Sequence, residues 1–196
     1  MLILASASPR RQELLRSAGI SFVVQPTDIP EIPRPGENPK TCAERLAREK
    51  AAFIARRRPT DLILGADTIV VVNGEMLAKP LDAPDASRML HLLSGRSHQV
   101  ITGVCLIGPE PRAENRQLRT FEDIRSETTT VFMDSLNDSD IQSYISTGEP
   151  MDKAGAYAIQ GIASRWIPRI EGDYSNVVGL PVALVYRMLR ARVTEL

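Results

Sequence analysis

The chain has 196 residues, 43% of them hydrophobic, and its 24 basic residues equal its 24 acidic residues in number. This balance argues against a nucleic acid or a membrane surface as partner, since both attract an excess of positive charge. Cys42 and Cys105 show neither a disulfide framework nor zinc-site spacing, which is typical of a reducing compartment. Without a signal-peptide pattern or an apolar run of about 18 residues, we expect a cytoplasmic globular protein.

The apolar periodicity and the positions of Pro, Gly and Asn predict alternating strands and helices. The expected strands cover residues 2–5, 21–25, 62–72, 98–107, 126–133, 156–160 and 165–171. The expected helices cover residues 9–19, 39–57, 83–93, 137–148 and 180–193, and loops cover residues 26–39 and 109–119. This order predicts an α/β fold with a mixed central sheet flanked by helices. We expect a single domain over residues 1–196, with room for two lobes.

Asp67 is an acidic residue in one of the most apolar stretches of the chain, Leu62–Val72. Because an unpaired charge is costly in a buried strand, this carboxylate should be paired, bound to a metal or neutralised. Gly65, two residues earlier, would allow the backbone to bend or a ligand to approach closely. The alternative interpretation is a structural Asp that accepts backbone N–H bonds.

The sequence from Ser6 to Arg11, Ser-Ala-Ser-Pro-Arg-Arg, lies where a strand gives way to a helix. Free N–H groups, the Ser8 hydroxyl and the guanidinium groups of Arg10 and Arg11 would converge there, an arrangement suited to a polyphosphate. Two cations are unfavourable in a first helical turn, so they favour a compensating anion. The segment is not a Walker A loop, and an exposed arginine pair at a helix start is the alternative.

Lys50 lies on the apolar stripe of the second expected helix, and Lys79 follows the hairpin that carries Asp67. Both could bind phosphate, although lysines in such positions can also extend to solvent. In the proline-rich loop, Asp28 and Glu31 are the carboxylates best placed to share a metal with Asp67. Mg²⁺ binds through one or two carboxylates together with substrate phosphates. The pattern therefore permits such a site, or an acidic surface loop.

The segment from Gly148 to Gly161 combines a helix stop, charged residues and closely spaced glycines, which indicates a backbone that approaches another group closely. Gln160 offers both a donor and an acceptor, as recognition of the edge of a nucleotide base requires. A tight connection without a ligand is the alternative. Residues 173–176 are interpreted as a structural polar turn before the last helix.

Taken in order, these motifs resemble the Maf family of nucleoside triphosphate pyrophosphatases. The resemblance runs from residue 2 to about residue 190 and rests on residues 6–11, 48–51, 65–68, 79–80, 93–95, 148–161 and 176–181. It implies an α/β fold shared with inosine triphosphate pyrophosphatases, two lobes around a cleft, and usually a homodimer. It also implies hydrolysis of a nucleoside triphosphate between its α and β phosphates with a divalent cation, Mg²⁺ or Mn²⁺.

The resemblance implies a role for each matching residue of this chain. Asp67 matches the catalytic proton acceptor, and together with Glu31, the matching loop carboxylate, it would hold the metal. The residues that match the family's phosphate-binding positions are Ser8, Arg11, Lys50 and Lys79. The residues that match the positions separating its subfamilies are Arg10, Thr68 and Gln160.

Arg, Thr and Gln at those three positions resemble the branch that hydrolyses dTTP and UTP, whereas the 7-methyl-GTP branch has Trp in place of the first arginine. Thr68 and Gln160 would bond to O2, N3–H or O4 of a pyrimidine and leave poor partners for a purine. The alternatives are a 7-methyl-GTP or CTP pyrophosphatase of the same family, or a nucleotide-binding regulator of septation without turnover. The intact Asp67 argues against the last alternative, because pure anion binding does not need a carboxylate.

Overall fold

A computed structural model describes residues 1–110 and 119–192, which form a mixed seven-stranded sheet and six α-helices. The strands are β1 (Leu2–Leu4), β2 (Val23–Val24), β3 (Leu62–Val72), β4 (Glu75–Leu77), β5 (Ser97–Pro109), β6 (Thr120–Phe132) and β7 (Arg169–Glu171). The helices are α1 (Pro9–Ser17), α2 (Pro39–Ala55), α3 (Ala83–Leu93), α4 (Asp138–Ser146), α5 (Tyr174–Val178) and α6 (Val182–Arg190). Three short 3₁₀ segments cover Glu149–Asp152, Ala154–Ala156 and Ile162–Trp166.

The sheet has the order β2-β1-β3-β5-β6-β7, and β4 pairs with β3 outside this path. Strand β1 runs parallel to both β2 and β3, whereas the β3–β4 and β6–β7 pairs are antiparallel. The predicted mixed α/β architecture is therefore confirmed. None of the helices in the described parts of the chain is long and apolar enough to cross a membrane.

The chain forms two compact units. The first contains Met1–Asp67, Thr102–Glu127 and Gly179–Leu196, and the second contains Thr68–Ile101 and Thr128–Val178. Neighbouring strand residues of the first unit enter different apolar clusters, because successive side chains of a strand point to opposite faces. Leu4 and Leu64 pack with residues of α1 and α6, whereas Ile3 and Ile63 pack with residues of α2. Helices therefore cover both faces of this part of the sheet.

Two glycines allow α2 to lie very close to the sheet in the first unit. A Cβ atom added to Gly65 of β3 would overlap the carbonyl oxygen of Ala47 and lie 2.9 Å from the amide nitrogen of Ala51. A Cβ atom added to Gly103 of β5 would overlap the backbone of Ala43. The contact of Gly65 thus involves the stretch of α2 that leads to Lys50, and it fixes the height of that stretch above β3.

In the second unit, the segment after α4 packs against the β3–β4 hairpin. The amide of Gly155 donates to the carbonyl oxygen of Ala78 at 3.1 Å, and a Cβ atom at Gly155 would lie 3.0 Å from the side chain of Val70. Gly155 also has a φ of 70°, in the region that favours glycine. The close approach expected for the Gly148–Gly161 segment is therefore found, with the hairpin as its neighbour.

Two of the expected short strands are wrong in whole or in part. Residues 154–156 form a 3₁₀ segment and residues 157–160 are irregular, so the expected strand over 156–160 is absent. Positive φ angles at Gly155 and Ala156 interrupt the extended backbone that a strand requires. The strand expected over residues 165–171 is shortened to β7, because the chain first forms a 3₁₀ segment up to Trp166.

The remaining differences concern element ends. Strand β6 begins at Thr120, six residues before the expected start, whereas β2 is reduced to two residues. The polar turn expected at residues 173–176 is the start of α5, where Oδ1 of Asp173 accepts a bond from the amide of Ser175 at 2.7 Å. The loop expected over residues 109–119 lies mostly outside the described residues. The helix expected over residues 180–193 is shorter, because α6 begins at Val182 and ends at Arg190.

Candidate functional site

The start of α1 holds a buried arginine in a fixed orientation. Ser8 is the N-cap, as predicted, and its Oγ accepts a bond from the amide of Arg11 at 3.5 Å. The Arg11 side chain donates from Nε to the carbonyl oxygen of Gly179 at 2.8 Å and from Nη1 to Oγ of Ser6 at 3.1 Å. Arg11 is only 9% exposed, whereas Arg10 is partly exposed. The two arginines are therefore not an equivalent solvated pair.

The electrostatics of Arg11 tie it to the acidic residues of the site. Burial lowers the pKa of Arg11 from its ordinary value, while the negative charges of Asp67 and Glu31 act in the opposite direction. A guanidinium group nevertheless stays protonated in proteins. The start of α1 therefore combines a permanent positive charge with the N–H groups of a helix N-terminus, both of which attract anions.

Lys50 of α2 connects the two predicted metal-binding carboxylates. Its Nζ donates to Oδ1 of Asp67 at 2.6 Å and to Oε1 of Glu31 at 2.5 Å. Lys50 is 4% exposed and Asp67 5% exposed, while the Glu31 side chain reaches solvent. The spacing of the helix predicts Lys50 on its apolar stripe, and the structure confirms this position. The ammonium group does not extend to solvent, because it is paired with charged groups.

Asp67 is the last residue of β3 that belongs to the first unit, and most other residues of that strand are apolar. Burial raises the pKa of Asp67 above its ordinary value, and the positive charges of Lys50 and Arg11 act against this shift. The direction could not be decided from the sequence, because burial and neighbouring cations have opposite effects. A buried carboxylate with a raised proton affinity that remains paired with cations is suited to accept a proton.

The proline-rich loop that carries Glu31 is anchored to α2 by a group of ion pairs that the sequence did not indicate. Arg45 donates from Nε and Nη2 to the two carboxylate oxygens of Glu37 at 2.6 and 2.7 Å, and from Nη2 to the carbonyl oxygen of Ile32 at 3.1 Å. Its Nη1 donates to Glu49. These bonds hold both the region next to Glu31 and the helix that carries Lys50. Asp28, the other carboxylate considered in this loop, is exposed.

Three predicted site residues belong to the second unit. Thr68 follows Asp67 directly in β3 and is partly buried, whereas Lys79 and Gln160 are exposed. The β3–β4 ladder pairs Val70 with Leu77, and its register continued by two further pairs would set Thr68 opposite Lys79. Their roles, like those of the other site residues, stay predictions.

Residues 1–110 and 119–192 contain no group of three or more His, Cys, Asp or Glu side chains that could hold a metal ion. Glu31 and Asp67 nevertheless converge on one cationic group, since the ammonium of Lys50 contacts both. Two carboxylates suit Mg²⁺ when substrate phosphates complete its coordination. The donor set therefore fits a cation that arrives with a phosphate ligand, and the predicted metal role of Glu31 and Asp67 stays a prediction.

Sequence reasoning missed the residues that position the site. Ser6 belongs to the Ser6–Arg11 motif, but the motif does not mark it as a partner of Arg11, and the Gly179 carbonyl lies 168 positions from Arg11 in the chain. No local pattern signals such a contact. The pairing of Arg45 with Glu37 could have been suspected from two opposite charges eight residues apart around a helix start, but the bends of the loop decide it.

Fold and site together define a mixed α/β protein with a cluster of paired charges at a helix N-terminus and a buried strand. A family model described as Maf-like protein matches residues 1–192, and the chain belongs to the Maf family. The family predicted from the motifs is therefore confirmed.

Relatives of high similarity share one name. A protein from Koribacter versatilis named dTTP/UTP pyrophosphatase is 55% identical, covering 96% of this chain and 93% of its own. Proteins of the same name from Syntrophomonas wolfei and Geobacter sulfurreducens are 50% and 51% identical and cover 98% and 96% of this chain and 98% and 95% of their own. A solved nucleoside-triphosphatase / dITP/XTP pyrophosphatase from Mycobacterium abscessus aligns with 67% of this chain and 73% of its own, at 14% identity and a TM-score of 0.39. That similarity is too low to support an argument here.

Proposed function

We propose that this protein hydrolyses dTTP and UTP between the α and β phosphates, releasing the nucleoside monophosphate and pyrophosphate. The observation that carries the proposal is the buried contact of Lys50 with Asp67 and Glu31, beside the buried guanidinium of Arg11. It is supported by relatives named dTTP/UTP pyrophosphatase that are similar over nearly the whole chain. The shared name of these relatives favours the dTTP/UTP branch over the 7-methyl-GTP and CTP alternatives.

Phosphate binding would use the positive groups and the start of α1. Arg11 is already oriented by Ser6 and Gly179, so little conformational freedom is lost when it binds an anion. Ser8, Lys50 and Lys79 would complete the binding of the triphosphate chain. Positioning and electrostatic stabilisation supply most of the rate enhancement when a phosphoanhydride bond breaks, because negative charge develops on the leaving pyrophosphate.

Asp67 would accept the proton of the attacking water. The ammonium of Lys50 favours the ionised form of this carboxylate at 2.6 Å, while burial raises its proton affinity. A divalent cation, Mg²⁺ or Mn²⁺, would be held by Glu31 and Asp67 and would supply Lewis-acid polarisation. The selection of the base would fall to Thr68, Gln160 and Arg10, of which the exposed Gln160 offers both a donor and an acceptor.

The test is pyrophosphate release from dTTP, UTP, CTP, GTP and 7-methyl-GTP with Mg²⁺ or Mn²⁺. We expect release chiefly from dTTP and UTP, and a loss of about 10²- to 10⁴-fold in kcat for Asp67→Asn, the range for a general base. Asp123→Asn is the matched control, because Asp123 pairs with Arg125 on β6 and not with the site. It should keep the wild-type rate.

Two other outcomes would contradict either the choice of branch or the enzymatic activity. Release chiefly from 7-methyl-GTP or CTP would contradict the choice of branch. No release from any nucleotide, with binding retained, would contradict the enzyme and favour the nucleotide-binding regulator.

We also propose that the protein works in the cytoplasm as a homodimer. The balanced charge and the two cysteines without disulfide spacing support the compartment. The support for the dimer is the family to which the chain belongs. Light scattering behind a sizing column measures the oligomeric state directly, and a single species with the mass of one chain would contradict the dimer.

A further inference from the structure

The side chains of Tyr144 and Glu149 hold the turn that carries Gln160. The carbonyl oxygen of Ala158 accepts a bond from the amide of Gly161 at 3.1 Å, so Ile159 and Gln160 are the central residues of a tight turn. Ile159 is buried and Gln160 is exposed. The turn thus anchors one side chain in the second unit and presents the other to solvent.

Both ends of this turn are bound by the same pair of side chains. The carboxylate oxygens of Glu149 accept the amide of Ile162 at 3.0 and 3.2 Å, just after the turn. The hydroxyl of Tyr144 accepts the amide of Ala158 at 3.1 Å, at the start of the turn, and donates to Oε1 of Glu149 at 2.8 Å. Tyr144 is 1% exposed, whereas Glu149 is partly exposed, so the network joins a buried hydroxyl to a carboxylate at the surface.

The backbone beside Gln160 lies close against the side chain of Glu149. A Cβ atom added to Gly161 would overlap the Glu149 carboxylate, so the backbone next to Gln160 lies directly against that group. The main-chain carbonyl of Glu149 also accepts a bond from Nζ of Lys153 at 3.0 Å. Glu149 is therefore held at both its main chain and its side chain, and its carboxylate in turn holds the backbone at the end of the turn.

We propose that Tyr144 and Glu149 are positioning residues for nucleotide selection: they fix the turn at residues 158–161 so that the amide of Gln160 meets a pyrimidine base in one orientation. The inference rests on the proposed function, which places Gln160 at the base. Uracil and thymine present N3–H and O4 where cytosine presents N3 and an amino group, so the donor and the acceptor at positions 3 and 4 are exchanged. A fixed backbone limits the positions that the Gln160 side-chain amide can reach, which favours one of the two pairings over the other.

The test compares kcat/KM for UTP and CTP in wild type, Tyr144→Phe and Glu149→Ala. We expect the UTP-to-CTP ratio to fall by about tenfold in both variants, since small misplacement of a binding group is costly. Glu149→Gln should retain most of the selectivity. The one remaining oxygen of the Gln side chain can replace Oε1, which accepts a bond from Tyr144 and a bond from Ile162.

The matched control is Tyr157→Phe. It removes another buried hydroxyl of the same segment, one that bonds to Nε2 of His98 at 2.7 Å and not to the turn. Its UTP-to-CTP ratio should stay at the wild-type value. A change in this control as large as that in Tyr144→Phe would overturn the proposal, since any hydroxyl loss would then suffice.

The remaining outcomes are also decisive. If Tyr144→Phe does not fold, the partly exposed Glu149 still permits the comparison between its Ala and Gln variants. A folded Glu149→Ala with the wild-type ratio overturns the positioning role while leaving the hydrolysis of dTTP and UTP intact. A wild-type protein that does not hydrolyse UTP or dTTP instead contradicts the proposed function itself.

Discussion

Buried cations in this chain are held by two kinds of partner. Neutral oxygens of Ser6 and Gly179 bind Arg11, whereas carboxylates bind Lys50. The negative charges of Asp67 and Glu31 also act on Arg11. A phosphate that enters would compete with these two carboxylates for Lys50.

The sequence predicted which residues lie at the site better than it predicted the contacts that hold them in place. Ser8 as N-cap and Lys50 as a lysine of an apolar face follow from spacings within one helix, and both predictions are confirmed. The partners of Arg11 and the contacts of Glu149 depend on how distant segments or irregular turns fold. Such contacts have no periodic pattern in the sequence, so residue spacing cannot predict them.

The ion pair of Glu37 with Arg45 leads to a pH-dependent contribution to stability. The bonds from Arg45 lower the pKa of Glu37 to about 2, with help from the amide of Arg34. An unfolded Glu has a pKa of about 4.3, so the contribution is complete above that value and is lost as the pH falls towards 2. The other groups facing this pair are the thiol of Cys42 and the carboxylate of Glu49.

We expect Glu37→Gln to lower the free energy of unfolding by about 1 kcal/mol at pH 6, the upper end for an accessible ion pair. The difference from wild type should shrink as the pH falls below about 4, because the wild-type carboxylate then also loses its charge. Urea denaturation at several pH values measures it. Glu13→Gln, which removes a more exposed pair with Arg16, is the control and should show a smaller effect. A difference for Glu37→Gln that stays constant down to pH 2 would contradict the role of its charge.

At the scale of elements, the close packing of α2 on β3 and β5 brings Lys50 to Asp67. Periodicity predicted the helix and the strand, and Gly65 was expected to allow a close approach. Which element approaches could not be predicted, because the glycine shows only that space is needed. The absent strand at residues 156–160 has a similar cause, since apolar and small residues there serve a turn that is held by side chains.

We expect Gly65→Ala to lower both stability and activity, because its Cβ would meet main-chain atoms of α2 that cannot move alone. The loss should be about 1–3 kcal/mol in free energy of unfolding, the usual cost of overpacking. The same displacement would separate Lys50 from Asp67, so kcat should fall as well. Chemical denaturation and pyrophosphate release measure the two effects.

Gly108→Ala is the matched control for this substitution. Its Cβ would lie 2.7 Å from Cδ1 of Leu62, the end of a flexible side chain, and it does not face α2. We expect a smaller loss of stability and an unchanged kcat. Equal kcat values for Gly65→Ala and wild type would contradict the role of α2 packing in placing Lys50.

At the scale of the whole molecule, the balanced charge means that recognition depends on local arrangement and not on a general field. The family was predicted from the order of seven motifs over most of the chain, none of which is specific alone. The arrangement of the chain in two compact units could not be deduced in detail, because strands β3, β5 and β6 each contribute residues to both units.

A dTTP analogue with a methylene group between the α and β phosphates should raise the melting temperature in the presence of Mg²⁺. At 100 times its Kd, the stabilisation is about 2.7 kcal/mol, which corresponds to several degrees for a chain of this size. The corresponding GTP analogue at the same concentration should give a clearly smaller shift. Differential scanning fluorimetry compares the two, and equal shifts would contradict selection at the binding step.

The contacts of Lys50 also determine what form of nucleotide the first unit can accept. Asp67 and Glu31 offset much of the positive charge of Arg11 and Lys50 before any ligand arrives, and Arg10 adds a further positive charge nearby. A bare triphosphate brings several negative charges and would leave most of them uncompensated. A nucleotide that carries its own divalent counterion brings fewer, and Asp67 and Glu31 would hold that counterion. We therefore expect this cluster to discriminate against the free nucleotide, as a property of its charge balance and independently of any step of the reaction.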